Sequence, residues 1–221
     1  MKGRFIFFDW ETDGLDPDAS VPTELAMIAY DLAEGKEVGR FGVYVLPPEG
    51  HELDADVMAK TDVTPSQVMS LGRPQKEVAN MIEEFVRGTT KGGKLTRTSK
   101  PTLVGHNAAF DIARMRRVLS NNRKDPAKVF ATNSGEFVYL DTLQMARVAL
   151  EAPGSDYDGA YNLTALCGHY GIPLFNAHGA MADTEATMRL FEALRLPPGK
   201  AEAEAGFTPK PKVKKRKPFQ I

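Results

Sequence analysis

The chain has one cysteine, one tryptophan and no long apolar run, and each shortage narrows what it can be. Cys167 alone excludes an intramolecular disulfide and cannot by itself build a thiolate cage around a metal. No stretch approaches the roughly 20 apolar residues that span a bilayer, so no membrane partner is expected. Phe5-Ile6-Phe7-Phe8 is too short for the core of a signal peptide and runs straight into Asp9 and Glu11. A cytoplasmic protein is the expectation that follows.

Net charge is nearly absent as well, at −1, but the balance hides an uneven distribution. From Phe207 onward the chain carries six lysines and arginines and no acid, which leaves −7 for residues 1–206. An acidic body with a basic tail suits a carboxylate-rich site and a polyanion-binding arm on one chain. The tail, Lys210 to Lys217, would hold phosphate backbone by counterion release. Its apolar end, Pro218-Phe219-Gln220-Ile221, offers a second use as a docking point for a replication or repair partner. The expected organisation is one domain over residues 1–196 and a Pro/Lys-rich flexible tail over 197–221.

What is present reads as an α/β chain. Arg4–Trp10 forms a buried strand, and Glu24–Leu32 and Arg40–Leu46 pair as a hairpin around Glu34-Gly35-Lys36. Thr64-Pro65-Ser66-Gln67 has capping-box spacing with proline at the first helical position. Val78, Met81, Ile82, Phe85 and Val86 recur at helical spacing from Pro74 to Arg87. Beyond the polar loop Gly88–Lys100, a strand at Leu103-Val104, a helix at Ala108–Leu119, a strand at Glu136–Leu140 and a helix at Thr142–Leu150 alternate. Asn162 caps a further helix, and Ala182–Leu194 forms the last. Three strands followed by alternating strands and helices imply a mixed β-sheet flanked by helices.

Three acidic segments carry chemistry. Asp9 and Glu11 are two apart on a strand, so both carboxylates point to one face. Like charges that close repel unless a cation sits between them, and hard oxygen ligands suit Mg²⁺ or Mn²⁺. In Gly105–Asp111, Asn107 is placed to cap a helix, and Asp111 falls one turn later on the same face. In His178-Gly179-Ala180-Met181-Ala182-Asp183, a loop histidine precedes a first-turn aspartate, the arrangement of a base beside a metal ligand. Each segment alone also fits a solvated loop or a helix cap; their joint order carries the functional reading. Trp10, between two acids, should face the opposite side of the sheet and pack in the core. Cys167 reads as a small buried hydrophobe. His51, His106 and His169 show no ligand spacing.

The order Asp-x-Glu, Asn-x-x-Phe-Asp, His-x-x-x-x-Asp resembles the His-containing branch of the DEDD family of 3′–5′ exonucleases. Phe8-Asp9-Trp10-Glu11-Thr12, Thr61-Asp62-Val63-Thr64-Pro65, Leu140-Asp141-Thr142 and Asn176–Asp183 are similar, in order, to the nuclease domains of bacterial exonuclease I. The resemblance implies a ribonuclease H-like fold and two Mg²⁺ ions, with Mn²⁺ as a substitute. It implies that Asp9 bridges both ions, that Glu11 and Asp183 complete one site, that Asp111 holds the other, and that His178 is the general base. Thr12, Asn107 and Phe110 become candidate substrate contacts, with core packing ranked first for Phe110. Asp62-Val63-Thr64 departs from the family's Gly-Ile-Thr, and the further domains of exonuclease I are not seen after residue 196. Single-stranded DNA, held at its 3′ end, is the expected substrate. RNA digestion or polymerase proofreading is the alternative, and a non-catalytic nucleic-acid scaffold the alternative of another class.

Overall fold

The computed structural model describes residues 4–14, 16, 19–151, 155, 157–174 and 179–195. Three strands open the chain: β1 (Arg4–Thr12), β2 (Pro22–Asp31) and β3 (Lys36–Tyr44). Helices α1 (Ala55–Met58), α2 (Pro65–Leu71) and α3 (Gln75–Thr89) follow, then a single 3₁₀ turn at Lys91–Gly93. Strand β4 (Thr102–Gly105) leads into α4 (Ala109–Asn121) and α5 (Pro126–Val129). A small hairpin, β5 (Thr132–Asn133) with β6 (Glu136–Phe137), precedes β7 (Tyr139–Asp141). Helices α6 (Thr142–Leu150), α7 (Leu163–Tyr170) and α8 (Ala180–Arg195) complete the described chain.

The main sheet has the order β3-β2-β1-β4-β7. β1, β2 and β3 pair antiparallel, whereas β1–β4 and β4–β7 pair parallel. This is the expected mixed sheet. The two parallel connections each run through helices, as parallel pairing requires.

Alternation along β1 assigns its two faces. Ile6, Phe8 and Trp10 join a core with Val78 and Ile82 of α3 and Ile112, Met115 and Leu119 of α4. Trp10 is 4% exposed and lies in that core, as its position between two acids predicts. Phe5 and Phe7 face the other way, with both rings edge-on to Phe191 of α8. Asp9 and Glu11 continue this second face beyond the aromatic layer. From Phe191 back to Asp183 is about 12 Å of helix at 1.5 Å per residue. From Phe7 to Glu11 is about 13 Å of strand at 3.3 Å per residue. The start of α8 therefore reaches the level of the two β1 acids.

Local expectations fared unevenly. Thr64 and Gln67 form the reciprocal capping box, with Pro65 at the first helical position. β3 starts at Lys36 rather than Arg40 and ends at Tyr44; the Val45 amide still donates to the Thr23 carbonyl of β2 at 2.9 Å while Val45 bridges Arg73 on its other side. The following Pro47-Pro48 offers no donor to continue the strand. The single strand expected over Glu136–Leu140 is two strands in different sheets. Ser134 and Gly135, both at positive φ, turn β6 back on β5, and Val138 bonds Ala131 before β7 begins. The last helix starts two residues earlier than its apolar pattern indicates, and Asp183 lies within its first turn, as expected.

Candidate active site

The site lies where β1, β4 and β7 end and α4 and α8 begin. Ligand atoms of Asp9, Glu11 and Asp183 lie within 4.8 Å of one another. All three side chains are half-buried. Asp111, in the first turn of α4, stands outside this tight trio but close enough for its charge to act on Asp9. Its carboxylate accepts a hydrogen bond from the backbone of Trp10 and is 6% exposed. The four acids thus converge from two helices and one strand. His178 lies outside the described residues, as does the basic tail.

Crowding shows in the acidities. Burial first, then the charges of Asp111, Glu11, Asp183 and Glu24, hold the Asp9 carboxyl well above the usual carboxylate range. Burial and the charges of Asp183, Glu24, Asp111 and Asp62 push Glu11 up to about 8. Burial also raises Asp111, to about 7, against the lowering influence of the Trp10 bond and the Arg114 guanidinium. Carboxyls that raise one another in this way gain most from a shared hard cation. The oxygen donor set fits a divalent metal of the magnesium kind.

Several residues hold this arrangement that spacing alone does not reveal. Glu24 lies opposite Glu11 in the β1–β2 register and accepts a hydrogen bond from the Ala180 amide at 3.1 Å. It therefore grips the head of the helix that carries Asp183. Burial pushes Glu24 up too, and the Ala180 bond opposes the shift. A lone acid inside Thr23–Tyr30, otherwise apolar, was the available signal. Asp141, at the end of β7, accepts from the Asn107 amide at 2.9 Å and the Ala108 amide at 3.2 Å. Its carboxylate also accepts from Leu143 at 2.9 Å, capping α6. One side chain so fixes both the approach to α4 and the start of α6.

Asn107 does not cap α4. Ala108 takes the cap position without a side-chain bond, and Asn107 sits at φ 55°. Asparagine tolerates this left-handed backbone better than most residues. Its side chain is exposed. The small residues here serve close packing: a Cβ on Gly105 would lie 2.9 Å from that of Ala108. Thr12 is buried, and its hydroxyl donates to Gly14 at 2.7 Å, so its side chain is occupied internally. The Phe110 ring lies under the Arg114 guanidinium at 4.7 Å.

The remaining histidines have structural partners. His106 bridges Thr142 Oγ1 at 2.9 Å and the Tyr161 carbonyl at 3.0 Å, and burial lowers its basicity. His51 Nε2 meets Asp13 Oδ2 at 2.5 Å. Cys167 is buried, which pushes its thiol up to about 11. No helix among the described residues is long and apolar enough to cross a membrane.

Fold and site together define a nuclease class. The family model RNase_T, described as Exonuclease, matches residues 6–191, and the chain belongs to this family. Ribonuclease T of Shewanella baltica is 26% identical over 199 residues, covering 86% of this chain and 81% of that protein. The PolC-type DNA polymerase III of Oceanobacillus iheyensis is 31% identical over 186 residues, 84% of this chain but 11% of the polymerase. Among solved structures, E. coli exonuclease I in complex with a dT13 oligonucleotide superposes with a TM-score of 0.71 at 25% identity. The match covers 88% of this chain and 41% of that one, so the present chain spans about two-fifths of exonuclease I. The resemblance to DEDD-type 3′–5′ exonucleases and the ribonuclease H-like fold both hold.

Proposed function

We propose that this chain is a metal-dependent 3′–5′ exonuclease that hydrolyses single-stranded DNA to nucleoside 5′-monophosphates. The observation that carries the reading is the convergence of Asp9, Glu11 and Asp183 within 4.8 Å, with Asp111 tied to the intervening Trp10 backbone. A scaffold that merely binds nucleic acid has no use for carboxylates crowded until they resist ionisation.

Asp9, Glu11, Asp111 and Asp183 would hold two Mg²⁺ ions, with Mn²⁺ as a substitute. Bound there, a divalent pair supplies neutralisation of the charge that develops on the entering and leaving oxygens of an in-line displacement. His178 is assigned the proton of the attacking water as general base. Attack breaks the bond between phosphorus and the 3′ oxygen of the penultimate nucleotide. The products are a nucleoside 5′-monophosphate and a strand with a new 3′ hydroxyl. The Thr12 backbone and the Asn107 side chain are assigned to the terminal nucleotide. Phe110 is a weaker candidate for contact, since Arg114 covers one face of its ring. The basic tail, 197–221, would add sequence-blind affinity for phosphate backbone or dock a replication or repair partner. A cytoplasmic location belongs to the same reading.

The substrate preference draws support from the exonuclease I complex with dT13. A second reading, RNA, is favoured by one comparison: ribonuclease T matches over most of its own length, whereas the polymerase matches over a small part. Telling the sugars apart needs only one contact to a 2′-hydroxyl. Digestion of 5′-labelled single-stranded DNA, duplex DNA and RNA of one sequence with Mg²⁺ decides between them. The DNA reading expects single-stranded DNA to shorten fastest; faster loss of RNA would reverse it.

A further inference from the structure

We propose that Arg114 is a positioning residue of the nuclease site, tying the helix that bears Asp111 to the segment that follows Glu11 and Thr12. The proposal rests on the exonuclease reading and extends it to residues outside the acidic motifs.

Arg114 is 2% exposed and lies one helical turn beyond Asp111 on α4. A buried guanidinium is costly to desolvate and persists where its N–H groups are used. Here Nη1 donates to the Ser20 carbonyl at 2.7 Å. Nη2 donates to the Asp16 carbonyl at 3.2 Å and to the Ser20 hydroxyl. A rigid fork reaches these oxygens together, which the single ammonium of lysine cannot do. Burial and the Arg117 charge disfavour the charged guanidinium, and the charges of Asp13, Asp111 and Asp16 partly offset them.

The grip passes from Ser20 to its neighbour. The Val21 amide donates to Asp13 Oδ1 at 2.7 Å, and the Asp13 amide donates to the Val21 carbonyl at 3.2 Å. Asp13 is 5% exposed, and His51 occupies its other oxygen. Asp13 follows directly on Thr12, where the β1–β2 register is broken by an irregularity between Glu11 and Thr12. The ladder still pairs Glu11 with Glu24 and, past that shift, Thr12 with Pro22, so the regular register stops at Glu11. The Arg114–Ser20–Val21–Asp13 relay adds a second tie there, and it references that end to α4. The end of the strand that bears Asp9 and Glu11 is thereby tied to the helix that bears Asp111 by hydrogen bonds that use none of these three carboxylates.

The test is a double-mutant comparison on a single-stranded oligodeoxynucleotide with saturating Mg²⁺, reading kcat and KM and monitoring folding by thermal melting. Arg114→Met and Asp13→Ala should each lower kcat by roughly 10- to 100-fold with KM little changed, the range expected for sub-ångström to 1 Å displacement of reacting groups. The double variant should be no slower than the slower single variant, because both cut one relay. Asp13→Asn keeps an oxygen for the Val21 amide and should restore most of the rate. Arg114→Lys should fall between wild type and Arg114→Met, and it replaces the methionine variant in the cycle should that variant lack a cooperative melt. A folded Arg114 variant with wild-type kcat, or losses that multiply in the double variant, would overturn the role of Arg114 while leaving the nuclease reading intact. A wild-type chain that releases no nucleotides would instead overturn the reading beneath it.

Discussion

Glu24 faces Glu11 across the β1–β2 pair while its carboxylate binds the amide of Ala180, three residues before Asp183. One acid therefore shares the electrostatic field of the metal-site trio and anchors the helix that delivers its third member. Anchoring and charge can be separated by mutation.

Glu24→Ala removes the acceptor and frees the head of α8. A drop in kcat of roughly 10- to 100-fold is expected, since a displacement of about 1 Å at a reacting centre has that effect. Glu24→Gln keeps an acceptor oxygen and should stay within about threefold of wild type at saturating Mg²⁺. Steady-state kinetics of the two variants would settle the matter, and equal losses would mean that charge rather than the Ala180 bond is what counts.

A second expectation concerns pH and metal together. Glu11 and Asp111, at about 8 and about 7, and Asp9, raised as well, bind protons in the folded metal-free chain that the unfolded chain has already released. The folded state holds more protons between the ordinary carboxylate range near pH 4 and about pH 8, so its stability falls as pH rises through that window. Metal-free protein in chelator should melt at progressively lower temperature from about pH 5 to about pH 8 on this linkage. Mg²⁺ binds the ionised carboxylates, so its stabilising effect should grow over the same range. A chelated protein whose melting temperature is flat or rises from pH 5 to pH 8 would contradict the crowded-carboxylate account.

Asn107 allows backbone and side chain to be tested apart. Glycine adopts the φ of 55° without strain, so Asn107→Gly should leave the melting temperature close to that of wild type. If the exposed side chain touches the terminal nucleotide, KM should rise several-fold with the fold unaffected. An unchanged KM would remove Asn107 from the substrate contacts.

The extent to which all this was legible in sequence follows from the kind of interaction involved. β1 was readable because a continuous apolar run ends in two acids, and a period of two settles which side chains share a face. The direction of Trp10 followed from the same rule. The end of β3 was not readable, since Val45 there meets two partners far from it in the chain, Thr23 and Arg73. The spacing of Asn107 suggested a helix cap, whereas the tertiary bonds from its amide and that of Ala108 to Asp141 impose a left-handed turn there instead. Asp9, Glu11, Asp111 and Asp183 stood out through local motifs. Glu24, Asp13 and Arg114 did not, because each acts through partners that only the folded sheet brings near.

His178 can be weighed against the acids kinetically. Loss of a general base lowers turnover by about 10²–10⁴-fold, and His178→Ala should fall in that range. Because the carboxylates are untouched, the pH-dependent stabilisation by Mg²⁺ should persist in this variant. Wild-type turnover by His178→Ala would remove it from the mechanism.

The most direct test of the central claim compares wild type with Asp9→Ala on 5′-labelled single-stranded DNA in Mg²⁺. Wild type should produce a ladder shortening one nucleotide at a time from the 3′ end, with nucleoside 5′-monophosphates released, and chelator should stop it. Asp9→Ala, folded by thermal melting, should leave the strand at full length. An Asp9→Ala chain that shortens the strand as wild type does, or a folded wild type that leaves DNA and RNA intact in both Mg²⁺ and Mn²⁺, would contradict the assignment of this carboxylate cluster as a nuclease centre.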